Sequence, residues 1–177
     1  MIKKIYIFII LFFVVLSTQS KAYDCYFDKI KPGVDARDLQ TIGIRGAVGQ
    51  NEFGGFEKFI MIEDLCKNPE GLSGIVVQLF FLKNKLVKIN FQNVVSQKQK
   101  LFDIAQNDYK VKFERIEAKS KKNQSEIYSA TKNGNFYFYA LLKNKNQQGE
   151  YLEIMSNKDR EKIDEYFLKI EVAQPND

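Results

Sequence analysis

The stretch "GIVVQLFFLKNKLVKINFQ", residues 74–92, constrains the fold more than any other in the chain. From Ile75 to Leu82 it is almost wholly apolar, as a strand buried on both faces must be. Beyond the polar "KNK", Val87, Ile89 and Phe91 alternate with Lys88, Asn90 and Gln92, the period of a strand with one wet face. A short polar turn between two such runs predicts a hairpin, and both strands then need further cover.

The rest of the chain supplies it. "FEKFIMI" (Phe56 to Ile62) predicts a strand ahead of Cys66. "EIYSATKNGNFYFYALL" predicts a second hairpin, because Asn133-Gly134 is the favoured pair for a type I′ turn. "EYLEIMS" gives another strand after the polar loop "KNKNQQG", and "VKFERIE" one before the charged loop "AKSKKNQS". A short helix is expected from Val34 to Thr41, between the Pro32-Gly33 turn and Gly43. Ser96 is placed to cap a second helix over Gln97 to Tyr109, with Leu101, Phe102, Ile104 and Ala105 on its apolar side. A last helix starts at Ser156 with Asp159 three residues on, and carries Ile163, Tyr166, Phe167 and Ile170 at helical spacing. This order implies an α+β fold: an antiparallel sheet of about five to six strands, packed on one face by two or three helices.

Ahead of these elements lies an apolar leader. Its core, Ile5 to Leu16, spans roughly 18 Å as a helix, short of a ~30 Å hydrocarbon layer. Lys3 and Lys4 precede it, and Ser20-Lys21-Ala22 offers small residues at −3 and −1. The expectation is a signal peptide of residues 1–22 cleaved after Ala22, and a single domain over 23–177 that is periplasmic or secreted, with no stable membrane anchor after cleavage. Cys25 lacks the small preceding residue of a lipidation site, since Asp24 and Tyr23 stand there. The formal charge of +5, less Lys3, Lys4 and Lys21, is +2, so the chain's basicity belongs largely to the leader, and no nucleic-acid partner is expected.

Two cysteines, Cys25 and Cys66, then meet an oxidising compartment, and one disulfide is expected between them. The sequence has no histidine. That removes Ser-His-Asp and Cys-His nucleophiles and His-based zinc sites. No metal or other cofactor is expected.

What remains are weaker patterns. Gly46, Gly49, Gly54 and Gly55 are irregularly spaced and open no long helix, so no phosphate loop is implied. Ser129-Ala-Thr-Lys132 has the serine–lysine spacing of penicillin-binding proteins, but in a strand residues i and i+3 face opposite ways. The acids Glu63, Asp64, Glu114, Glu117 and Asp159 to Glu165 sit among lysines and arginines, as on solvated faces. "IKPGVDARDLQ" resembles, over about a dozen residues, the I-x-x-G-M-x-x-x-x-V turn-and-helix start of BamE-type outer-membrane assembly lipoproteins. Valine stands where that family has methionine, and the lipidated cysteine is missing; the resemblance implies a turn and a helix.

In "NFYFYALL" strand alternation sends Phe136 and Phe138 one way and Tyr137 and Tyr139 the other. Tyr137 and Tyr139, with Tyr128 on the preceding strand, are the candidate interaction surface, tyrosine being enriched at protein interfaces. The expected function is an exported, non-enzymatic domain that binds a protein partner in the cell envelope, as an immunity protein or an inhibitor of an envelope-attacking toxin or hydrolase does. A carrier or sensor of an apolar envelope ligand, lipid or peptidoglycan fragment, is the alternative. A hydrolase built on carboxylates alone is the remaining enzymatic option.

Overall fold

The computed structural model of the chain describes residues 23–45, 50–96, 99–116, 125–144 and 147–173. The leader with its cleavage site, Gly46 and Gly49, and residues 117–124 of the charged loop lie outside them. The fold is α+β, with a seven-stranded antiparallel sheet ordered β2-β4-β5-β9-β8-β7-β6 and a small two-stranded sheet, β1-β3. The strands are β1 (Asp24–Cys25), β2 (Gly55–Met61), β3 (Cys66–Asn68), β4 (Val76–Leu82), β5 (Lys85–Asn93), β6 (Glu114–Ile116), β7 (Glu126–Lys132), β8 (Asn135–Asn144) and β9 (Gln147–Ser156). The helices are α1 (Ala36–Gln40), α2 (Lys100–Asn107) and α3 (Arg160–Ala173).

Two meanders share this sheet. β2, β4 and β5 run from one edge to its centre; the segment carrying α2 then crosses to the far edge, and β6 to β9 return until β9 pairs with β5. Both expected hairpins form. Lys83 and Asn84 turn the first with φ of +50° and +62°, and Asn133 and Gly134 the second with +52° and +76°. The sheet reaches seven strands, beyond the five to six expected, because the short β6 pairs at its far edge. β8 and β9 are also longer than expected because pairing outruns the apolar pattern. The loop "KNKNQQG" is mostly strand, with Leu142↔Gly149, Lys143↔Gln148 and Asn144↔Gln147 in register. Ladder hydrogen bonds use backbone groups, so polar side chains beyond the core do not end them.

The main core lies on one face. There α1, through Ala36 and Leu39, and α2, through Leu101, Ile104 and Ala105, cover Val77, Leu79, Ile89, Phe91, Leu152 and Ile154. Asp35 caps α1 by accepting a hydrogen bond from the Arg37 amide at 3.0 Å. That bond and one from the Arg37 side chain hold the Asp35 carboxyl below its ordinary range. Cys25 and Cys66 form the expected disulfide, joining β1 to β3.

The third helix takes the other face. A bulge in the β4–β5 pair sets Val87 and Lys88 against Phe80, and brings Phe80 and Val87 under Ile163 and Tyr166 of α3. Tyr166 lies so close over β2 that a Cβ on Gly55 would overlap its ring. Tyr166 is also fixed by Asn51, whose Nδ2 donates to its hydroxyl at 2.7 Å while its Oδ1 accepts from the amides of Phe53 and Gly55. Gly55→Ala is therefore expected to cost about 1–3 kcal/mol in urea unfolding. An unchanged midpoint would contradict this seating of α3.

Candidate interaction face

The tyrosines expected on the surface lie inward instead. Tyr137 and Tyr139 are only 5% and 0% exposed in the main core, whereas Phe136 packs beneath α3 and Phe138 faces outward on the second face. Tyr128 is half-buried beside them, its ring 5.3 Å from Phe102 and 6.0 Å from Tyr139. Alternation separates the two pairs but does not say which pair turns inward. The choice follows from what each pair meets: the Tyr139 hydroxyl finds a buried acceptor, Glu150, on the neighbouring strand.

Glu150 is 3% exposed and forms no ion pair among the described residues. Its Oε1 accepts from the Tyr139 hydroxyl at 3.0 Å and the Leu101 amide at 3.1 Å. Its Oε2 accepts from Ser96 Oγ at 2.8 Å, Asn93 Nδ2 at 3.2 Å and the Lys100 amide at 3.2 Å. The carboxylate thus caps α2 from another strand, where the helix dipole favours negative charge. The cap expected from Ser96 is corrected accordingly: α2 starts at Lys100, and the Ser96 hydroxyl donates to Glu150. Five donors occupy this carboxylate, so it is a structural anchor.

Buried phenols follow from the same packing. Burial first, then the Glu150 charge and hydrogen bond, hold the Tyr139 phenol far above its usual value. Burial does the same to Tyr109, aided by Tyr137, Asp108 and Asp28; Tyr151, half-buried on the second face, is raised by partial burial and by Glu153. In the unfolded chain such phenols ionise near pH ~10. Folded, they keep their protons, so above about pH 10 the folded state binds more protons and stability falls with pH, by up to about 1.4 kcal/mol per unit for each such tyrosine. Urea midpoints are expected to drop steeply above about pH 10, and less steeply in Tyr139→Phe. Identical slopes would contradict this origin.

The second face is left partly open. α3 covers the row Phe80, Lys88, Met155 and Phe136 at one end. The next row in register is Phe59, Gln78, Asn90, Glu153, Phe138, Ser129 and Glu114, and the one beyond is Met61, Val76, Gln92, Tyr151, Ala140, Ile127 and Ile116. No helix among the described residues packs over these two rows. Phe59 is 62% exposed, and Met61 and Ile116 are exposed at the opposite edges. Further along, Leu142 is 52% exposed and, with Val94, Gln92 and Tyr151, rims a shallow hollow of about 450 Å³. Gly149 lines the hollow, and a Cβ there would meet the backbone oxygens of Val94 and Asn93 at 3.4 and 3.5 Å.

A polar band crosses the middle of this apolar surface. Gln78 donates to Glu57 at 2.7 Å, and Asn90 donates to Gln78 at 2.8 Å. Lys88 pairs with Glu153 at 3.0 Å, and the Tyr151 hydroxyl donates to Glu153 at 2.9 Å. The band is held in two bonded groups, Glu57–Gln78–Asn90 and Lys88–Glu153–Tyr151. Asn90 Oδ1 is buried and has no hydrogen-bond partner among the described residues.

Ser129 lies on this second face, in register with Phe138. Lys132 donates its ammonium to the backbone oxygens of Tyr109 and Lys110, at 3.1 and 2.6 Å. The pair is therefore not assembled as nucleophile and base. Among the described residues no group of three or more His, Cys, Asp or Glu is placed to hold a metal ion. No protein-family model matches the chain, and neither a curated protein nor a solved structure does.

Proposed function

We propose that the chain is an exported, non-enzymatic protein-binding domain that takes its partner on the open part of the second sheet face. One observation carries this reading: a mostly apolar row over which no helix among the described residues packs crosses all seven strands from Met61 to Ile116. At ~4.8 Å per strand the row is about 29 Å long, and the two open rows, ~6.8 Å apart, cover roughly 400 Å², about half of the ~800 Å² that each partner contributes to a standard interface, with the hollow beside Leu142 extending it. Apolar ends around a fixed polar band suit a partner with matching hydrogen-bond groups at its centre. The partner is an envelope-directed toxin or hydrolase that the domain neutralises by occlusion. The Cys25–Cys66 disulfide supports an oxidising setting, and the apolar leader ending Ser20-Lys21-Ala22 fits cleavage after Ala22.

The test compares capture from envelope extract by the native chain and by the double variant Phe59→Asp/Leu142→Asp. Both side chains are exposed, so the fold is expected to persist. The native chain should retain one stoichiometric protein, and the variant at least about tenfold less of it. Equal capture by both, or none by the native chain at several salt concentrations, would end the proposal.

A further inference from the structure

A separate cleft lies at the other end of the second face, between α3 and the β4–β5 hairpin. Its volume is about 750 Å³, within the range of small-molecule sites. Phe53, Leu82, Val87 and Tyr166 make an apolar floor. Five lysines stand around it: Lys83 and Lys85 from the hairpin, and Lys158, Lys162 and Lys169 from α3 and the turn that leads into it. Among the described residues two carboxylates, Asp159 and Glu165, line the cleft with them, and Asp35 stands beside Lys85 outside it. Asp159 is already engaged, accepting from Ser156 at 2.7 Å and pairing with Lys162 at 3.2 Å. Lys83, Lys85, Lys158 and Lys169 form no ion pair among the described residues.

We infer that this cleft binds an anionic amphiphile: a single acyl or aryl body on the apolar floor, with a phosphate or carboxylate head among the lysines. The floor argues against a free inorganic anion, which gains nothing from Phe53, Leu82 and Tyr166. The rim argues against a neutral lipid, which would leave five like charges lining one cleft without a counter-ion from the ligand. An anion entering among them relieves that repulsion, and lysine serves as a flexible point charge for such heads. The size of the cleft fits one chain better than a polymer. The inference goes beyond the docking face and uses different residues, so either can fail alone.

Calorimetric titration of the chain isolated from its own cells tests it. The probes are dodecyl phosphate and dodecanoate, each below its critical micelle concentration, with dodecanol and inorganic phosphate as the two half-ligands. At least one amphiphile is expected to bind at 1:1, and each half-ligand at least about tenfold more weakly. Tighter binding of one amphiphile identifies its head as the natural one. Lys85→Glu/Lys169→Glu is expected to weaken amphiphile binding at least about tenfold, with an unchanged circular dichroism spectrum. The inference is overturned if neither amphiphile binds, if dodecanol or phosphate alone binds as well, or if the charge-reversed variant binds as the native chain does.

Discussion

Glu150→Ala is expected to destabilise the fold by about 3–5 kcal/mol, the largest effect of any single substitution considered. The side chain is 3% exposed and accepts five hydrogen bonds, two of them from the first amides of α2. Truncation leaves the Tyr139 and Ser96 hydroxyls, the Asn93 amide and the start of α2 without their acceptor. A buried donor stranded in this way costs about 1–3 kcal/mol, and the five costs overlap because the groups share one site. Glu150→Gln keeps the shape but loses the charge and turns one acceptor into a donor, so about half the loss is expected. Urea unfolding of the three proteins, at fixed m, is the measurement. A loss below about 1 kcal/mol for alanine would show that the donors re-pair with water or backbone.

The second large effect concerns Cys25 and Cys66. The bridge closes a loop of 41 residues, and the chain-entropy relation values that at about 4 kcal/mol. Replacing both cysteines by serine is expected to lower stability by that amount. Phe27 and Ile30 are fully buried in the main core, and the Tyr23 hydroxyl donates to Asp108 at 2.6 Å. The N-terminal segment should therefore stay docked, and near-ultraviolet circular dichroism should persist in the absence of denaturant. Equal urea midpoints for the oxidised protein and the double variant would contradict the estimate.

Local chemistry was readable where it was decisive. Asn133-Gly134 and the run from Ile75 to Phe91 announce a turn and a strand pair, and both form. The Ser156–Asp159 start leads into a helix, though through a 3-10 turn over Asn157–Asp159, with Ser156 bonding the Asp159 carboxylate and α3 beginning at Arg160. The position of α2's start was not readable, because the acceptor that caps it lies on β9, 50 residues from Lys100 in the chain. A cap rule looks one turn ahead and cannot see that partner. Yet Glu150 carried a signal: it shares strand parity with Leu152 and Ile154, both fully buried, so a charged side chain stood in a core position of "EYLEIMS". The tyrosines were misplaced for the same reason. Period two divides Phe136 and Phe138 from Tyr137 and Tyr139, but only the cross-strand pair Tyr139–Glu150 and the seat of α3 decide which pair is wet. The open face itself became visible only through register, which sets Met61 and Ile116 in one row from opposite ends of the sheet.

Site-directed photo-crosslinking in the protein's own cells tests the docking face most directly. A benzoyl-phenylalanine at Phe59 or at Leu142, on the open face, is compared with one at the exposed Gln40 of α1, on the other side of the sheet. Phe59 and Leu142 are expected to yield an adduct with one and the same protein, and Gln40 none. No adduct from either open-face position, or an equal one from Gln40, would contradict the account.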